Sequence, residues 1–217
     1  MARSDITKLI VFDWDGTVSD SLARIAQCVQ LAAGEHQLDI PPINDIKEIV
    51  GLSLPKAMAQ LFPTINEDKA ESLRKGYSAH YKILDQKPCP FFPTAMSALT
   101  RLKKQGYLLA VATGKSRQGL DRVLRALDMD DFFHGSRCAD ETRSKPDPQM
   151  LNELLAEFSI EPKQAVMVGD TEFDMEMAFN AGVPRVAVSY GAHAVERLQV
   201  YQPIACIDKL KDIERYL

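Results

Sequence analysis

The sequence predicts an α/β fold, a parallel sheet interrupted by one all-helical insert, and three observations carry that prediction. Near-continuously apolar runs recur at KLIVFD (8 to 13), YLLAVAT (107 to 113), AVMVGD (165 to 170) and RVAVSY (185 to 190), as strands covered on both faces should. Helical patterns fall between and after them at 94–105, 116–128, 148–158 and 172–181. Strands alternating with helices imply parallel pairing through crossover connections. Third, residues 19–86 show amphipathic helix and no convincing strand.

The first strand runs straight into LIVFDWDGT (9 to 17). The insert follows. SLARIAQCVQLAAGEH reads as a long helix, with Ser19 or Asp20 expected as its cap, and NEDKAESLRKGYSAHYKILD reads as another. Pro41-Pro42, Gly51, Pro55 and Pro63 punctuate the stretch. KPCPFFP (87 to 93) is a proline-stiffened return to the sheet. The expected division is therefore a core of residues 1–18 and 87–217 and a helical domain of 19–86. No internal repeat or low-complexity tract is visible.

Composition narrows the function. The chain has 217 residues, 46% apolar and 26% charged, with 26 basic against 30 acidic side chains and a net charge of −4. Without a basic run, nucleic acid and anionic membrane surfaces are poor partners, and a small molecule is expected. Cys28, Cys89, Cys138 and Cys206 lack metal-binding spacing and read as reduced thiols. The N-terminal MARSDITKL has no signal-peptide core and no run is long enough to span a bilayer, so a cytoplasmic location is expected.

The polar residues collect at strand ends, where open parallel sheets bind ligands. Asp13 ends the first strand, Thr113-Gly114-Lys115 the second and Gly169-Asp170 a later one. Because side chains alternate along a strand, Asp13 and Asp15 share one side and Trp14 takes the other, leaving its backbone amide for ligand contact. On adjacent strands, Asp13 and Asp170 would converge with Asp15 and Asp174, an arrangement only a cation makes tolerable. Mg²⁺ fits, because it takes hard oxygen ligands and pairs with a substrate phosphate. Each feature alone has a plainer reading. Thr171-Glu172-Phe173-Asp174 matches a helix capping box, Thr113-Gly114 a strand-to-helix turn and Lys145 a loop lysine.

The joint order of DWDGT, TGK, the K-P of RSKPDP and GDTEFD resembles the four motifs of the haloacid dehalogenase-like superfamily of phosphohydrolases. The resemblance covers nearly the whole chain outside 19–86. It implies a Rossmann-like core, with the insert similar to that family's small α-helical cap in phosphoglycolate phosphatase-like members. Carried over, Asp13 resembles the nucleophile that forms an aspartyl-phosphate, and Asp15 the acid and base that serves leaving group and water. Thr113 and the backbone amides of Trp14, Asp15 and Gly114 would hold phosphate oxygens, and Lys145 would neutralise phosphate and nucleophile. Asp13, the Asp15 carbonyl, Asp170 and Asp174 would serve the Mg²⁺.

The substrate implied is a small phosphate monoester. The resemblance leaves phosphoglycolate among the candidates, although VGLSLPKAM (50 to 58) carries Leu52, Ser53 and Lys56 where many such proteins have an arginine. Ser53 and Lys56 are the expected contacts of the cap with substrate. A phosphomutase of the β-phosphoglucomutase type and a non-enzymatic phospho-accepting domain are the alternatives. Either a monomer or a homodimer fits the sequence.

Overall fold

The structure, a computed structural model, describes residues 7–217. Six parallel strands form one sheet in the order β3-β2-β1-β4-β5-β6. They are β1 (Leu9–Phe12), β2 (Leu108–Thr113), β3 (Gly135–Cys138), β4 (Ala165–Gly169), β5 (Arg185–Val188) and β6 (Ala205–Ile207). β1 lies at the centre, with Phe12 level with Val111 of β2 on one side and Val168 of β4 on the other. The chain builds outward from β1 in one direction, then returns to its other side. This reversal opens a crevice at the carboxyl ends of β1 and β4.

The two-residue period of β1 splits the core in half. Ile10, Phe12 and Trp14 face the helices α5 (Ala95–Lys104) and α6 (Arg117–Ala126), while Leu9 and Val11 face α7 (Gln149–Phe158) and α8 (Glu172–Asn180). All of these strand residues are buried, which explains the unbroken apolar run. A short helix, α9 (Val195–Gln199), links β5 to β6. The four anticipated strands and four core helices are found within a few residues of their expected bounds. Two strands were not anticipated. β3 reads GSRC and is half-buried, and β6 is three residues long, so neither edge strand carries an apolar signature.

The insert contains α1 (Leu22–Glu35), α2 (Ile43–Lys47), α3 (Leu54–Leu61) and α4 (Glu67–Leu84). They enclose a separate cluster that includes Val29, Ala32, Met58, Leu73 and Tyr81. α1 begins later than expected. Its N-cap is Ser21, because Ser19 bridges Asp15 and Phe91 and the Asp20 N–H is bonded to the Pro90 carbonyl at 2.9 Å. The Ser21 hydroxyl makes no capping bond and is used elsewhere. At the other end of the insert, buried Asp85 binds Arg24 of α1 at 3.0 Å and Arg122 of α6 at 3.1 Å, tying insert to core. The described cysteines are all free, as expected.

Candidate active site

Two strand ends, one helix start and one loop deliver the charges. Asp13 follows β1, and its Oδ1 accepts a hydrogen bond from Lys145 Nζ at 2.6 Å. The same Nζ donates to Asp174 Oδ1 at 2.6 Å. Asp170 follows β4. Its Oδ1 accepts from the Thr17 hydroxyl at 2.7 Å and its Oδ2 from the Ala192 N–H at 2.8 Å. Asp174 lies in the first turn of α8, where its Oδ2 accepts from the Thr171 N–H at 3.1 Å and hydroxyl at 2.7 Å, completing the predicted capping box. Oxygen atoms of Asp13, Asp170 and Asp174 lie within 4.8 Å of one another, and all three residues are buried.

Packing makes this proximity possible. Gly16 has φ +92°, and a Cβ there would lie 2.2 Å from Asp170 Oδ2. Only glycine lets the loop after β1 pass this close to the carboxylate.

Burial pushes the Asp13 carboxyl well above the usual carboxylate range, and Asp174 and Asp170 add to the shift while Lys145 opposes it. Asp170 is pushed up to about 7, chiefly by burial and then by the Asp174 charge. Burial alone would lower the Lys145 pKa, yet the charges of Asp13 and Asp174 hold it above the ordinary value. One ammonium thus faces three carboxylates. Asp13 Oδ2 is buried and makes no hydrogen bond. A hard cation fits this donor set, since it would take the unpartnered oxygen and offset the excess negative charge.

Asp15 occupies different surroundings. Its Oδ1 accepts from the Ser21 hydroxyl at 2.6 Å and lies 3.1 Å from Lys115 Nζ. Lys115 also donates to the Tyr81 hydroxyl at 2.9 Å, so a residue of α4 touches the group that holds Asp15. Asp13 and Asp15 line the floor of a cavity of about 470 Å³ between insert and core. Gly114 permits the close approach of the two parts. A Cβ there would meet the Leu52 carbonyl oxygen at 2.6 Å and that of Gly51 at 2.8 Å.

The family of haloacid dehalogenase-like hydrolases matches residues 10–188 of this chain. The chain belongs to that family. Among named relatives of this hydrolase is "Probable phosphatase IndB" of Dickeya dadantii, 29% identical over 94% of this chain and 91% of its own. A phosphoglycolate phosphatase of Pasteurella multocida is 32% identical over 85% and 86%, and a pyrophosphatase, PpaX, of Bacillus cereus 28% over 94% and 93%. A crystal structure described as a haloacid dehalogenase-like hydrolase from Bacteroides fragilis superposes with a TM-score of 0.89 at 27% identity, covering 95% of this chain and 99% of that one.

In the hydrolase, the sequence-predicted residues do not all meet at one point. Asp13, Lys145, Asp170 and Asp174 come together as described. The Asp15 carboxylate stands apart from that cluster, with Ser21 and Lys115, so any tie of Asp15 to a cation falls to its carbonyl. Thr113 is fully buried and accepts the Lys115 N–H at 3.2 Å, while Gly114 lines the cavity. The Trp14 ring packs edge-on against Phe91 and Phe133, which leaves only its backbone for a ligand. Ser53 is buried and donates its N–H to the Ser144 hydroxyl at 2.9 Å, bracing the loop that carries Lys145.

Lys56 stands apart from these residues. It is exposed and does not line the cavity, because α3 turns Leu54, Ala57 and Met58 inward at helical spacing and Lys56 outward. Sequence reasoning also missed Thr17, Ser21, Lys115 and Tyr81. Thr17 directly follows the DWDG stretch, Ser21 lies four residues further on and Lys115 belongs to TGK, so their positions carried a signal. Nothing local marked Tyr81. Among the described residues, no helix is long and apolar enough to cross a membrane.

Proposed function

We propose that this hydrolase is a Mg²⁺-dependent phosphatase that hydrolyses a small phosphate monoester through an aspartyl-phosphate on Asp13. The observation that carries this reading is the Asp13 carboxylate itself. One oxygen is held by Lys145, while the other is buried without a hydrogen-bond partner at the cavity floor. Asp13, Asp170 and Asp174 would hold the cation, which supplies Lewis-acid stabilisation of the phosphoryl oxygens.

In the first half-reaction, an Asp13 carboxylate oxygen bonds to phosphorus as the bond to the ester oxygen breaks. Asp15 gives its proton to that departing oxygen. In the second, Asp15 takes a proton from water as the water oxygen bonds to phosphorus. The acyl-phosphate bond then breaks, releasing phosphate and restoring the Asp13 carboxylate. Ser21 and Lys115 orient Asp15 for both transfers. Lys145 stays charged and offsets the negative charge gathering on phosphate and nucleophile.

The helical insert, residues 19–86, acts as a cap that closes the cavity over this chemistry. Its support is the set of ties to the core through Asp85, Ser53 and Tyr81. The test is phosphate release from p-nitrophenyl phosphate with Mg²⁺, using wild type and Asp13→Asn. Wild type is expected to turn over, and the variant to lose at least about 10³-fold while melting normally. Turnover by a folded Asp13→Asn protein at the wild-type rate would refute the nucleophile assignment.

A further inference from the structure

The cavity's walls say what kind of alcohol leaves. Its volume of about 470 Å³ lies within the roughly 300–1,000 Å³ typical of pockets for small organic ligands. Above the carboxylate floor α1, α3, α4 and the turn after α2 contribute mostly carbon, while Ser78, Ser116 and Gln118 add uncharged polar groups. Three basic side chains reach the cavity among the described residues: Lys82, Lys115 and Arg122. Lys115 is committed to Asp15 and Tyr81, and Arg122 to Asp85. Lys82 is exposed on α4.

A second anionic group on the substrate, such as a carboxylate or another phosphate, would therefore enter an apolar space with no uncommitted buried cation to receive it. Burying an unpaired charge is strongly unfavourable, whereas burying a ring against these walls is favourable. Resting on the phosphatase reading above, we propose that the preferred substrate is the phosphate ester of an uncharged, ring-bearing apolar alcohol. Its body would be held by Ile25, Val29, Ile49, Val50, Met58 and Tyr77. The inference sets this chain apart from relatives named for phosphoglycolate and pyrophosphate.

The experiment compares leaving groups of matched chemistry. With Mg²⁺, kcat/KM for 2-phenylethyl phosphate is expected to exceed that for ethyl phosphate and for phosphoglycolate by at least about tenfold. Val29→Phe, which fills the cavity from α1, should shrink the advantage over ethyl phosphate by a similar factor. Calorimetry on the wild-type protein with Mg²⁺ supplies a readout free of turnover and of the variant's folding. There, 3-phenylpropylphosphonate is expected to bind at least about tenfold more tightly than 3-phosphonopropionate. Phosphoglycolate or pyrophosphate hydrolysed as well as the phenylethyl ester, or phosphonopropionate bound as tightly as the aryl phosphonate, would overturn the inference. Failure of the phosphatase reading looks different. No ester would release phosphate, and calorimetry would still decide the cavity's preference.

Discussion

Removing the cation should make the stability of the protein depend on pH in a direction set by the buried carboxylates. Asp170 is pushed up to about 7 from an ordinary 3.8. Its folded pKa is raised, so the folded cation-free protein binds a proton that the unfolded chain has already lost between those values. The contribution is fully present below the unfolded pKa and is lost as pH rises through the folded one. A rise from 3.8 to about 7, at about 1.36 kcal/mol per unit, is worth on the order of 4 kcal/mol. Asp13 shifts in the same direction and adds to it.

A cation binds the deprotonated carboxylates, so it opposes the loss at high pH and must displace protons at low pH. Saturating Mg²⁺ should therefore stabilise the protein most near pH 8 and least near pH 5. Between pH 5 and 8 about two of those units are traversed, roughly 2.7 kcal/mol, which for a chain of this size corresponds to a melting-temperature difference of roughly 5–11 °C. The assay is thermal unfolding across pH 5 to 8 in Mg²⁺ and in a chelator, for wild type and Asp170→Asn. A Mg²⁺ effect that does not change with pH, or an unchanged profile in Asp170→Asn, would refute the reasoning.

Three further outcomes follow from contacts already described. Gly114→Ala places a methyl 2.6 Å from the Leu52 carbonyl oxygen, so the insert must back away from the core. KM should rise about tenfold with the fold intact, as steady-state kinetics and melting together would show. Asp85→Ala strands Arg24 and Arg122 around a buried gap and should cost about 2–4 kcal/mol in urea denaturation; a loss below about 0.5 kcal/mol would reduce the pair to a surface contact. Lys145→Met and Lys145→Arg should both abolish phosphate release. The first removes the ammonium bonded to both Asp13 and Asp174, and the second forces a planar fork into a fully buried slot built for a point charge.

Much of this architecture was legible before any coordinates, for identifiable reasons. Central strands are covered on both faces, so β1, β2, β4 and β5 announce themselves as apolar runs. β3 lies at an edge and needs no such run, which is why GSRC passed unnoticed. The acids at strand ends were legible because parallel topology brings strand ends together whatever the loops do. The outward direction of Lys56 was not legible, because VGLSLPKAM shows no helical phase of its own and the phase decides which way a side chain points. The cavity walls were beyond sequence reasoning altogether. They are assembled from helices whose mutual packing no local pattern specifies, and Tyr81 meets Lys115 across 34 residues of chain.

The chain leaves the sheet and returns to it along one narrow stalk. Ser19 bridges Phe91, and the Phe92 N–H bonds to the Val18 carbonyl at 3.1 Å. Because the two crossings are already paired, the four helices form a single excursion that begins and ends at neighbouring points beside the sheet. An excursion that starts and ends at neighbouring points leaves the register of the strands independent of its length. Ser21, which holds Asp15, and Tyr81, which holds Lys115, both ride on that excursion, so insert and reaction centre are built together.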